Sequence, residues 1–355
     1  MKIFVFFVSI ILYNINGFEI TFRSSVSNPH GRSFEKKAYL PLRVMTFNIW
    51  NSGANVDDGL YKIAKHIRIM DPDIVALQEV QTIQAFQNLT EKLGGSYTGV
   101  TTKTDYPNVG IITKHRLNMS SVVATNSSTS IGVDVHLWSG QVISFWSLHL
   151  DYRSYGPYAA NNKLVTNISQ IEAGEYPKSH DGRVDNIIEL LKNPVFKEEI
   201  ENEKKPLILG GDFNAPSHLD WISSTKKFHG GWEIRWPATF LLQKSTGLVD
   251  TFREIYPDPL STPGVTWSTV HRSSGSEWDY SIPEPLDRID FIFRKKNQLR
   301  TKDSFVYSGT EKLEQIPNHA RNDYPSDHFA VITDFELDFN SIENELDPLY
   351  EHLRP

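Results

Sequence analysis

Cysteine is absent from all 355 residues. That excludes thiol nucleophiles, cysteine-bound zinc and any disulfide framework. Stability must come from core burial, which a chain of this length can supply. Positive charge is in slight deficit: 36 Lys and Arg against 43 Asp and Glu give a formal net charge of -7. An acidic body argues against non-specific nucleic-acid binding, which normally uses a broad basic face. It leaves room for a local basic groove. Long apolar runs are missing beyond the first dozen residues, so no second membrane-length segment is expected.

What is present begins at the first residues. Lys2 precedes the apolar stretch Ile3–Leu12, and Gly17 offers a small residue at a cleavage point. This pattern reads as a signal peptide over residues 1–17, too short for a comfortable span. Four sequons agree with export, at Asn88, Asn118, Asn126 and Asn167, each followed two residues later by Ser or Thr. The expected destination is the extracellular space or a lysosome-like compartment. Residues 18–41 read as an N-terminal arm or opening strand, 42–336 as one body, and 337–355 as an acidic tail.

Within the body, Leu42–Ile49 and Ile74–Leu77 read as buried strands around a helix. Val56, Leu60, Ile63, Ala64, Ile67 and Met70 share one face of that helix. Val109–Thr113, Ile131–Trp138 and Val142–Leu150 are β-rich. A second helix carries Val184, Ile187, Ile188 and Leu191 and stops before Pro194. Leu207–Leu209, Ile289–Phe293 and Phe329–Phe335 complete the strands. Strands alternating with helices, together with adjacent strand pairs, predict an α/β fold of two packed sheets with helices outside.

Polar groups close these strands. Asn48 ends Thr46-Phe47-Asn48, Glu79 follows Leu77-Gln78, and Asp212 with Asn214 follows Gly210-Gly211. Asp290 lies in Arg288-Ile289-Asp290, and Asp327-His328 follows Pro325-Ser326. An ionised carboxylate at an apolar strand end is costly unless compensated. One such acid is usually an ion pair; five polar positions, four of them carboxylates, point to a shared oxygen-ligand metal site. Carboxylates and amides suit Mg²⁺, with Mn²⁺ an alternative, better than Zn²⁺. With a carboxylate to orient water and a histidine to contact phosphoryl oxygens, the set fits in-line hydrolysis of a phosphate ester.

The blocks Met45–Ile49, Leu77–Val80, Ser147–Leu150, Gly211–Asn214, Arg288–Ile292 and Ser326–His328 resemble, in order, the endonuclease/exonuclease/phosphatase superfamily. The resemblance spans roughly residues 42–336 and implies a four-layer αββα sandwich. It implies that Asn48 and Glu79 hold the metal, with Asp327 beside it. It implies that Asp212 orients or activates water, and that Asn214 helps fix that water and the phosphate. His328 would contact the scissile phosphate, oriented by Asp290, with His149 as a second phosphate contact. Asp287 competes for the role given to Asp290.

Gly210-Gly211 reads mainly as a turn after a strand, and Arg183 as a structural ion pair. Tyr152, Arg153, His218 and Asp220 are the substrate-binding candidates, because their sequence neighbours are the site residues. Trp232, Trp236, Trp267 and Trp278 read as core and loop packing. The expected substrate is a small or lipid-linked phosphodiester or phosphomonoester, handled by a monomer. A secreted deoxyribonuclease and a catalytically inactive binding protein on the same fold are the alternatives. Ala215-Pro216 after Asn214, and Leu286 before Asp287, depart from the inositol 5-phosphatase pattern.

Overall fold

The computed structural model describes residues 10–15, 18–23, 38–273, 279–296 and 299–338. One sheet has eight strands and the other six. In the first, Ala38–Asn48 runs parallel to Ile74–Val80 and antiparallel to Ala330–Asp338. An N-terminal hairpin, Ile10–Ile15 with Phe18–Arg23, extends its edge. In the second, Leu207–Asp212 lies between Val142–His149, parallel, and Asp290–Arg294, antiparallel.

Alternation along the strands explains the layering. Side chains two apart share a face. Leu42 and Val44, with Ile74 and Ala76, meet Ile143, Phe145, Ile208 and Ile292 between the sheets. Met45, Phe47, Val75 and Leu77 face the other way, onto Ile63, Ala64, Ile67, Phe86 and Leu89. These belong to the helices Gly59–Met70 and Ile83–Leu93. Trp146, Leu148, Leu207, Leu209, Phe291 and Phe293 back onto Ile187, Leu190, Phe196, Ala238 and Leu242. Those lie on Arg183–Lys192, Pro194–Glu201 and Pro237–Thr246. Each buried aliphatic side chain contributes roughly 1.5–3 kcal/mol. Three apolar layers between four structural ones make the αββα sandwich.

Several boundaries differ from the sequence reading. The strand expected at Leu42–Ile49 spans Ala38–Asn48, and the one expected at Phe329–Phe335 spans Ala330–Asp338. Val56 precedes the helix, which starts at Gly59. Pro194 does end one helix, but it also opens the next, whose first amides bond to Asn193 Oδ1. Ile83–Leu93, Arg116–Ala124, Pro237–Thr246 and Leu299–Tyr307 are elements the periodicity did not reveal. Gly210 and Gly211 lie inside the Leu207–Asp212 strand. A Cβ on Gly211 would stand 2.2 Å from the Leu148 carbonyl oxygen, so close strand approach, not turning, requires glycine there. Trp278 and residues 339–355 of the acidic tail lie outside the described residues.

Candidate active site

The site is the polar end of the inter-sheet layer. Continuing the alternation from Val44 through Thr46 brings Asn48 inward. From Ile208 through Gly210 the same rule brings Asp212, and from Phe145 through Ser147 it brings His149. Asp290 precedes inward Ile292. Register then aligns three of these side chains: Asp212 pairs with His149 on one side and with Asp290 on the other. They form one rung across three strands.

Glu79 breaks the pattern. Parity points it toward the helices, but a bulge lies between Gln78 and Val80, and Glu79 takes φ +60°. Bulges re-aim side chains in this way. The carboxylate is then caught: Asn51 N–H donates to Oε2 at 2.7 Å and Asn48 Nδ2 to Oε1 at 3.2 Å. Trp50, Asn51 and Ser52 also have positive φ, a sparsely populated conformation for such residues. That turn is what presents the Asn51 amide.

Asp212 is the junction. Its Oδ2 accepts from Asn48 Nδ2 at 3.0 Å and lies 3.6 Å from His149 Nε2 and 3.7 Å from His328 Nε2. Its Oδ1 accepts from Asn214 N–H at 2.8 Å. His328 Nδ1 donates to Asp290 Oδ2 at 2.9 Å. Burial disfavours a charged His328 ring, but Asp290 and Asp212 reverse this and hold its pKa well above the usual histidine range. Burial raises Asp212, against the pull of His328, and raises Asp327, against the pull of His271. Ser326 Oγ donates to the Asn48 carbonyl at 2.6 Å and accepts from His328 N–H at 3.0 Å, which joins the first and last blocks.

The remaining candidates divide. Asn214, at φ +47°, donates through Nδ2 to the Leu150 carbonyl. Tyr152 is 70% exposed, and Arg153 donates to Asp151 at 2.6 Å. His218 bonds to Thr239 Oγ1, and its burial lowers its pKa to about 4. Asp220 is a correction. It is buried and salt-bridged to Arg253 at 2.5 Å and Arg288 at 2.9 Å, so its charge is spent inside the protein rather than on substrate. Asp287 does not reach His328. It accepts from Trp221 and Tyr155, and burial lifts its pKa to about 7. Arg183 is buried, paired with Glu175 at 3.4 Å, and donates to the Asn214 carbonyl.

Three residues at the centre were not singled out from sequence as site residues. Asn108 Oδ1 accepts from His149 Nδ1 at 2.7 Å. Trp267 places its ring 4.7 Å from His328. His271 Nε2 lies 3.3 Å from Asp327 Oδ2. No motif marks them: Asn108 is the polar residue that opens the strand Asn108–Thr113, and Trp267 and His271 lie between strands on a stretch with no apolar period.

A divalent cation fits this donor set. Glu79, Asp212, Asp290 and Asp327 crowd around Asn48 and His328. Asp290 Oδ1 and Asp327 Oδ1 are buried without a hydrogen-bond partner among the described residues. Such orphaned acceptors are unusual in a folded protein. Asp212, Asp290 and His328 bring ligand atoms within 4.8 Å of one another. Asn48 qualifies its expected role: in this orientation Oδ1 accepts from Trp50 N–H, and the NH₂ faces the carboxylates.

These features define a class. The Endonuclease/Exonuclease/phosphatase family model matches residues 45–328, and the chain belongs to that family. Its members are hydrolases acting on phosphoester bonds. The uncharacterized protein F14F9.5 of Caenorhabditis elegans is 53% identical over 297 residues, covering 83% of this chain and 91% of its own. The human Nocturnin catalytic domain with bound sulfate is structurally similar at TM-score 0.52 and 18% identity, over 85% of this chain and 97% of that one. A family protein from Bacteroides thetaiotaomicron gives 0.51 and 17%, over 84% and 99%. At such identities these two show the shared four-layer fold.

Proposed function

We propose that this protein is an exported, Mg²⁺-dependent phosphoesterase acting on a small or lipid-linked phosphoester. The observation that carries the reading is the convergence of Asp212, Asp290 and Asp327 on buried His328, with Glu79 joined to the group through Asn48. Among the donors, Glu79 and Asp327 offer the all-oxygen flank that a hard cation prefers, whereas His328 is committed to Asp290. When bound, the ion would neutralise charge on the phosphoryl and leaving oxygens.

The chain's own groups supply the rest. His328, kept protonated by its two carboxylate neighbours, donates from Nε2 to a phosphoryl oxygen. His149 has its Nδ1–H fixed by Asn108, so its Nε2 faces the same space. Asp212, between the two imidazoles, orients and deprotonates the attacking water. Asn214 holds the backbone amide that fixes Asp212. Exposed Tyr152, with Arg153 beside it, is the proposed contact for the rest of the substrate, and half-buried His218 stands further out. The substrate preference is supported by the acidic net charge, which disfavours long polyanions.

Export rests on the leader at residues 1–17, whose removal takes the edge strand Ile10–Ile15 with it, and on the sequons. Asn126 and Asn167 are exposed, and Asn167 Oδ1 accepts from both Ser169 N–H and Oγ. Asn118 makes the same pair of bonds with Ser120. Asn88 is half-buried on a helix. The test is hydrolysis by purified protein, with Mg²⁺ and with chelator, on phosphomonoesters, nucleotides, phosphoinositides, sphingomyelin and plasmid DNA. Turnover of small or lipid esters, lost in chelator and in Asp212→Ala, is expected. Activity on plasmid alone would replace the substrate reading with a nuclease; inactivity on all would leave a binding protein.

A further inference from the structure

We infer that His271 is a positioning residue for Asp327, holding one carboxylate oxygen so that the other is presented to the metal. This rests on the metal-dependent reading above and adds a residue to it that lies outside every motif block.

The geometry is specific. His271 Nε2 lies 3.3 Å from Asp327 Oδ2, and Asp327 Oδ1 is buried without a partner among the described residues. One oxygen is therefore engaged and the other left for an incoming ligand. A carboxylate tied in this way offers a single oxygen, which suits the strict octahedron of Mg²⁺ better than the looser, often bidentate shell of Ca²⁺. Hydrogen bonds behind ligating carboxylates set their orientation and their affinity for metal.

The ring is itself well held. It packs 5.1 Å from Trp267 and 6.0 Å from Trp50. Trp267 reaches His328, and Trp50 opens the left-handed turn that presents the Asn51 amide to Glu79. The loop carrying His271 is laced to its target: Thr269 N–H donates to the Asp327 carbonyl at 2.9 Å, and Thr269 Oγ1 to the Ser326 carbonyl at 2.9 Å. His271 N–H donates to Ser268 Oγ at 3.0 Å. The side chain is 27% exposed, so the ring stands at the rim and not in the core. A merely structural histidine needs no such alignment with an acid whose other oxygen is orphaned.

The experiment is Mg²⁺ titration of the full chain by calorimetry, for wild type, His271→Ala and His271→Gln. Thermal midpoints measured in chelator report folding separately. His271→Ala is expected to weaken Mg²⁺ binding by about 10–100-fold. Its turnover should fall at low Mg²⁺ and recover at saturating Mg²⁺. Gln can donate from nearly the position of Nε2, so His271→Gln is expected to restore most of the affinity. A folded His271→Ala variant that binds Mg²⁺ as tightly as wild type overturns the inference. If the Ala variant does not fold, the Gln variant decides: wild-type affinity supports the role, and a folded variant with weak binding overturns it. Wild type that takes up no Mg²⁺ overturns it together with the metal reading. Wild type that binds Mg²⁺ with the expected His271 dependence, yet hydrolyses nothing, sinks only the proposed activity.

Discussion

Asp212 receives an amide on each oxygen and two imidazoles at longer range, so small changes there have large effects. Asp212→Asn keeps the volume and removes the base. Turnover should fall by roughly 10²–10⁴-fold while the thermal midpoint changes little, as loss of a general base predicts. His328→Ala should be comparably inactive, and it also strips Asp290 of its partner. Asp287 has a different consequence. Its pKa of about 7 in the fold lies above its ordinary value of 3.8. The folded state therefore binds the extra proton. The stability this group contributes is full below about pH 4 and is lost as pH rises through about 7. Thermal midpoints of wild type should decline across that window relative to Asp287→Asn, which mimics the protonated acid. Parallel curves for the two proteins would refute the assignment. At this scale, inward positions such as Asn48, His149 and Asp212 were legible because strand alternation fixes them. Glu79 was legible by motif alone, since alternation points it the wrong way and only a bulge corrects it. Asn108 is the polar first residue of the strand Asn108–Thr113 and meets His149 only through packing of the two sheets. Trp267 and His271 depend on loop paths that local sequence does not specify, and the nearness of Asp220 to Asp212 in sequence says nothing about the arginines that fold against it.

Among the elements, the strand Leu207–Asp212 is the least tolerant of change. A methyl group at Gly211 must displace the Leu148 carbonyl, so Gly211→Ala should cost roughly 1–3 kcal/mol, read by chemical denaturation. The strand pairing that aligns His149 with Asp212 would be disturbed with it, and activity should fall along with stability. The helix Ile83–Leu93 gives a contrast. Thr82 Oγ1 accepts from Ala85 N–H at 3.0 Å. Thr82→Ala should cost about 1 kcal/mol and leave turnover unchanged, because the cap bonds only to Ala85 and to no residue of the site. Strands buried on both faces read clearly as apolar runs. The helix after Thr82 and the strand Arg116–Ala124 carry too many polar residues for periodicity to mark, and packing against the sheets decides their structure.

For the whole molecule, the leader and sequons predict behaviour that purified bacterial protein will not show. Expressed in a eukaryotic secretory system, the protein should appear in the medium beginning near Phe18. Its mass should fall on glycosidase treatment, with Asn126→Gln and Asn167→Gln each removing one step. Retention in cells with an intact N-terminus would refute export.

The rung of His149, Asp212 and Asp290 has a historical consequence as well. Because these groups are held by backbone pairing across three strands, an insertion within the strands shifts the acid away from its histidines and abolishes the reaction at once. The loops that follow the rung carry that penalty only at the few positions that serve the site, such as Asn214. Those loops can therefore change in length and sequence, away from the site residues they carry, while the rung keeps its alignment and the fold stays common to relatives with under a fifth of their residues in common.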